Sequence, residues 1–428
     1  MLGVMLCVLA GHRDHLQTFA EADRPYIYYV DLRHVPDDER ADMRATLQFT
    51  LASTSRQRVL ELCTAQDTGI PGLLWLDIRS MLWNGNQVTR VFQRYPYNRR
   101  VQIRHDLFAV PRVWRADWLI LELWDTTRSD ARYRLLYNDA EIDRDKWLAF
   151  HGDRRERDFA IGFIEGASGV TISGKRVLIS DERRDWIWTT LDFVDVDEQD
   201  PLEQPDNAIA DWQDAAKAIH DGSEHIASLH KHSIKSGKRG ILQDYFLSNA
   251  KGQRVEEGPT NLVQDRTRSF RGLAEIRLGA CVTCHVAGLN FPTSDEYRLF
   301  RGDRYVKRDK QLELAAFYAP VLEKLKHTNE QYTAGVELVT GMTPEQNVAA
   351  FTGSVAWYDN DVDIDQAGRE LDLPAEEVGL AIAYAAKHID VGARLSHLSE
   401  GGRIPRSSFE SNFRRLLEVV ELWNTSKK

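Results

Sequence analysis

The chemistry of this 428-residue chain is concentrated in one short run, Cys281-Val282-Thr283-Cys284-His285. Two thiols separated by two residues match the spacing of the two vinyl groups of a haem. Each thiol can add across a vinyl to form a thioether, and the adjacent imidazole then lies beneath the iron as its proximal ligand. The run therefore reads as the attachment site of one covalent haem c, held by Cys281, Cys284 and His285. Two other chemistries use the same residue types. A structural zinc site wants a second Cys or His pair at finger-like spacing, and the remaining cysteines, Cys7 and Cys63, are more than two hundred residues away. A redox dithiol normally follows a strand and opens a helix. Here the run closes a helix-like stretch, Phe270 to Ala280, and leads into Gly288-Leu289-Asn290-Phe291-Pro292. That order suits a cytochrome c-like domain.

The sixth iron position separates the functional readings. A methionine or second histidine there favours electron transfer, whereas an open position permits ligand binding or peroxide chemistry. Met342, in Thr340-Gly341-Met342-Thr343-Pro344, is the one methionine downstream of the motif. His220, followed by Asp221 and Gly222, is its rival, since Asp221 could orient a neighbouring group. With the position open, His220, Glu224 or an arginine would move the proton that peroxide cleavage requires. His225, His327, His388 and His397 carry no such context. His230 and His232, with Lys235, Lys238 and Arg239, form a basic loop able to dock an acidic redox partner, hold a surface metal, or simply be solvated. Asp77, Asp117 and Asp192 sit in apolar surroundings, where ion pairs to Arg79, Arg115 and Lys175 explain them as well as acid catalysis does.

A net charge of -10 opposes general nucleic-acid binding. Hydrophobic content of 43% with eleven tryptophans implies aromatic-rich cores. Thioether attachment takes place outside the cytoplasm, so the motif argues for a periplasmic or otherwise extracytoplasmic protein. Leu2 to Gly11 is an apolar run of signal-peptide size without a preceding Lys or Arg, an atypical export signal within residues 1–19 or the mark of a misplaced start. No stretch reads as transmembrane.

Residues 20–200 read as a mixed α/β domain. Strands are expected at Tyr26 to Val30 and Leu73 to Ile78, with a helix from Asp37 to Ser55. Arg115 to Trp124 suits either state. A hairpin is expected around Ser173-Gly174-Lys175, with β character continuing from Trp186 to Val194. Residues 196–210 form an acidic, proline-containing linker, and residues 201–428 a mainly helical, haem-bearing, cytochrome c-like domain. Within it, a helix is expected from Asp211 to about Leu229, a hairpin around Ala250-Lys251-Gly252, and helices near 310–339, 344–357, 364–371, 375–389 and 408–424. The fold class is α+β. Ile364 to Ala383 has a helix-turn-helix outline, but its acidic faces oppose phosphate contact and point to a packed helical hairpin.

Taken together, His220-Asp221-Gly222-Ser223-Glu224, Tyr245-Phe246-Leu247, Gly258-Pro259-Thr260, the haem run with Gly288, and Gln366 to Leu371 resemble a group of large monohaem c-type cytochrome-domain proteins of planctomycete-type bacteria. The likeness covers most of the chain. Ser223 stands where that group has glycine, and the 230–240 loop is longer than its counterpart. The resemblance implies an exported haem protein. Three functions then compete: an electron-transfer protein with redox partner proteins, a peroxidase-like or ligand-binding haem enzyme, and a subunit of a larger envelope assembly whose haem stabilises the fold.

Overall fold

Ile27-Tyr28-Tyr29-Val30-Asp31 joins aromatic and β-branched residues that suit a pleated surface buried on both faces, and it forms β1 (Ile27–Asp31). A computed structural model describes residues 12–97, 112–151, 159–165, 170, 175–181, 187–193, 220–289, 308–371, 373–387 and 392–427. The fold is mixed α/β with small sheets. The chain divides into two interleaved units, one comprising Met1–Leu47, Thr64–Leu121 and Gly353–Lys428, the other Gln48–Cys63 and Glu122–Thr352. The division expected at residue 200 falls inside the second of these.

In the first unit β1 runs antiparallel to β3 (Leu73–Asp77) and parallel to β4 (Val113–Arg115), with β2 (Gln66–Asp67) outside β3. The ambiguous segment after β4 is helical, Ala116–Trp124. Asp117 is buried between Arg115 (Nη2–Oδ2 2.5 Å) and His34 (Nε2–Oδ1 2.9 Å). Arg115 also pairs with Glu370, which Arg406 reaches at 2.5 Å. Burial alone would raise the Asp117 carboxyl, but Arg115 and His34 outweigh it and hold the group ionised. This carboxylate is a structural ion-pair member, as is Asp77 with Arg79. The side chain of Asp192 lies outside the described residues. Helices Ile364–Leu371 and Ala375–Ala385 form the expected hairpin.

The second unit is built on a five-stranded antiparallel meander, β5 (Phe159–Glu165), β6 (Lys175–Asp181), β7 (Ile187–Phe193), β8 (His220–His232) and β9 (Arg239–Asn249). The helix expected to run to Leu229 is replaced from His220 onward by β8. Its backbone partners lie on β7 and β9, a long-range pairing that local periodicity does not report. The reversal at Ala250-Lys251-Gly252 is present, but it returns through a single bridge, Ser248 to Arg254. Residues 1–11, 171–174 and 196–210, where the export signal, the Ser173-Gly174 turn and the linker were expected, lie outside the described residues. The unit that contains the motif combines helices with this sheet.

A 33-residue helix, Arg308–Thr340, crosses β9. Gly335 and Gly240 let the two backbones touch, since a Cβ on either would collide with the other element's main chain. Further along β9, Asp244 is fully buried, with Arg132 Nη2 at 2.6 Å, Trp147 Nε1 at 2.8 Å and His151 Nε2 at 3.3 Å. Tyr137 donates to the same carboxylate, and Arg132 also reaches Thr54 and Ser53. Burial pushes the His151 imidazole down to about 3, with Arg132 adding to the effect.

Gly335→Val will destabilise the fold by at least the about 1–3 kcal/mol of an overpacked core, read as a lower urea midpoint. The unfolded chain protonates His151 near 6.5, the folded chain only near 3, so the unfolded state binds more protons across that interval and stability falls as pH drops through it. The Asp244 carboxyl, raised by burial against Arg132, takes up its own proton earlier when folded and offsets part of the loss. Urea midpoints between pH 6.5 and 3 should therefore fall more steeply for the native chain than for His151→Phe; equal slopes would contradict this account.

Candidate functional site

Leu278 to His285 forms a helix that begins after the extended Arg277 and is seated on Phe270. Gly279 makes that seat possible, because a Cβ there would overlap the Phe270 ring. The helix stops at His285 for a local reason. Gly288, at φ +136°, turns the chain away, and Leu289 N–H donates to Asn329 Oδ1 on the long helix at 2.6 Å. A side chain at 288 would meet that same oxygen.

Within the helix Cys281, Cys284 and His285 stand at positions i, i+3 and i+4, so all three share one face. Cys281 is 5 % exposed, while Cys284 and His285 are half-buried. Val282 and Thr283 are buried, and Thr283 Oγ1 donates back to Gly279 O. β9 lies alongside. The Tyr245 ring is stacked near the His285 imidazole, 6.2 Å between centroids and 25° between planes. Tyr245 donates to Gln243 Oε1 at 2.5 Å. Burial pushes both Tyr245 and Tyr332 of the long helix far above the ordinary phenol range, so both stay neutral.

Two carboxyl groups complete the surroundings. Glu224 is buried on β8 and accepts from Thr190 Oγ1 at 3.4 Å. Register places Glu224 opposite Leu247, and Ile226 opposite Tyr245, so Glu224 shares the motif side of the sheet. Asp265 ties its own loop, accepting from the N–H and hydroxyl groups of both Thr267 and Ser269 at 2.6–2.9 Å. Burial, then the charges of Asp265 and Glu224, push the Cys284 thiol up, against a smaller opposing effect of Ser269. A helix C-terminus works in the same direction, because its partial charge is negative.

These features discriminate among the three chemistries. An attacking thiol needs an electropositive, thiolate-stabilising setting, and Cys284 has the reverse. No group of three or more His, Cys, Asp or Glu side chains able to hold a metal ion occurs among the described residues. Haem attachment asks for two thiols on one helical face with an adjoining imidazole, and the residues present meet that requirement. The donor set fits, with Cys284 and His285 at the accessible end and Cys281 covered.

The candidate distal residues are placed apart from this cluster. Met342 follows the end of the long helix; from Tyr332 to Thr340 the helix advances eight residues, about 12 Å at about 1.5 Å each. It lies in a loop, where Asn347 Nδ2 donates to its carbonyl. His220 opens β8 opposite Phe193, six residues or about 20 Å of strand from Ile226. His225 faces away, between Thr189 (2.9 Å) and Ser248 (3.0 Å). His327 is exposed, and His388 lies outside the described residues.

Sequence reading missed Tyr332, Asn329 and Asp265 as site neighbours. Asp265 did carry a local signal, the Asp-x-Thr-x-Ser spacing of a side-chain-fastened turn. Comparison with protein-family models, with curated proteins and with solved structures finds no match.

In chain lacking any attached group, the alkylation of Cys284 by iodoacetamide should show a pH midpoint above 9, the ordinary thiol value being 9.0. A midpoint near neutrality would restore the dithiol reading.

Proposed function

We propose that the chain is an exported monohaem c-type cytochrome that transfers electrons between protein partners. The observation that carries this reading is the single helical face bearing Cys281, Cys284 and His285, closed by a glycine turn and backed by β9. On this reading the motif helix and the long helix form a cytochrome c-like haem-bearing element seated on an antiparallel sheet. Cys281 and Cys284 would anchor the porphyrin edge and His285 would bind the iron. When bound, the haem supplies a one-electron couple whose potential follows axial ligation and burial. Tyr245 presents neutral aromatic surface beside His285, with Tyr332 against Tyr245. Glu224 and Asp265 add negative charge nearby, which favours the more positive, oxidised state and lowers the potential. Thioether attachment outside the cytoplasm supports an extracytoplasmic location.

A ligand-binding or peroxidase-like iron is the second reading, favoured by the separation of Met342 and by the buried Glu224, a group able to relay a proton on the motif side.

The test is expression with haem-attachment machinery, followed by intact mass and spectra. The mature chain should carry the added mass of one haem, and Cys281→Ala/Cys284→Ala should lose it. A reduced spectrum insensitive to carbon monoxide supports electron transfer, and ready carbon monoxide binding selects the second reading. A mature chain without added mass sinks both.

A further inference from the structure

Residues 233–238 join β8 to β9, and β8 and β9 carry the histidines and cations of the basic loop to the same tip. Lys235, Lys238 and Arg239 are exposed there, as are His230 and His232. Tertiary structure adds two cations that sequence did not connect with them. The segment from Arg56 to Glu61 runs beside the tip, with His232 N–H donating to Arg58 O at 2.9 Å and Val59 bridging His232. Arg56 and Arg58 are exposed on it. None of the five Lys and Arg residues forms a salt bridge among the described residues.

The tip is also fixed in shape. Glu61 accepts from Ser233 Oγ at 2.6 Å and from the Ile234 and Lys235 N–H groups at 3.2 Å. Burial pushes its carboxyl up, but these donors together with its own N–H outweigh that and hold it down at about 2. Gly237, at φ +67°, completes the reversal. Ile234 is thereby held at the apex with 69 % of its surface exposed, the most exposed large hydrophobic side chain among the described residues.

We propose that this tip docks the protein on an anionic lipid surface, with Ile234 entering the acyl boundary. The cations would meet lipid headgroups while their aliphatic stems cover apolar surface. The tip gathers five exposed cations in a chain that carries -10 overall, so attraction to an anionic surface is local to such a cluster and opposed by the net charge. A lipid surface suits the tip better than an electron-exchange partner does. On the haem reading, Arg239 is six residues, about 20 Å of strand, from Tyr245, too far for a partner docked at the tip to face the prosthetic group.

Sedimentation of the full chain with vesicles tests this without reference to haem. Binding is expected to phosphatidylcholine vesicles that contain phosphatidylglycerol, not to phosphatidylcholine alone, and should weaken with added salt. Each of Lys235→Gln, Lys238→Gln and Arg239→Gln should lower the partition about fivefold. Ile234→Ser should weaken binding with an unchanged salt slope. Absence of binding to the mixed vesicles overturns the proposal. So does binding that the tip variants leave unaltered, or binding to soluble polyglutamate in place of vesicles, which would select an acidic protein partner. Unchanged circular dichroism of the variants shows that the fold is intact.

Discussion

The long ladder between β8 and β9 is the constraint on which the second unit depends. Once those strands pair, successive residues of β9 must point to opposite faces. Asp244 then enters a polar cluster with Arg132, Trp147 and His151, while its neighbour Tyr245 is delivered to His285. A slip of one residue would exchange the two faces, burying a carboxylate against the motif helix and a phenol against Arg132. Gly335 and Gly240 add to that constraint, because close backbone approach fixes the long helix against one stretch of strand. Asn329 is carried to Leu289 as a consequence.

Electrostatics separates the two sides of this strand. On the Asp244 side, a buried charge is matched by Arg132 and several neutral donors, an arrangement that is costly to break and specific in geometry. On the motif side, the Cys284 thiol is kept protonated by burial and nearby carboxylates. A thiol so placed is a poor nucleophile towards external partners. On the proposed haem reading the thiol would instead meet a vinyl group held at the sulfur.

The elements legible in the sequence are those whose information is local. The helices Pro344–Asp359 and Ile364–Leu371 and the strands Ile27–Asp31 and Leu73–Asp77 were legible from spacing and end signals. β8 was not. Its hydrogen-bonding partners lie on β7 and β9, and residues 220–229 alone satisfy a helical pattern as readily as an extended one. The interleaving of the two units escaped notice for a similar reason, since segments such as Gln48–Cys63 join a unit whose other residues begin at Glu122.

By itself the sequence determined the donor set, two thiols and an imidazole at fixed offsets, because covalent spacing and helical repeat are properties of a few consecutive residues. Tertiary structure alone decided what those donors face. Tyr245, Tyr332, Glu224 and Asp265 come from four separate stretches of chain; burial keeps the two phenols neutral, whereas Ser269 and Thr267 hold the Asp265 carboxyl down against its burial. Burial is a property of packed elements, and no single stretch encodes it.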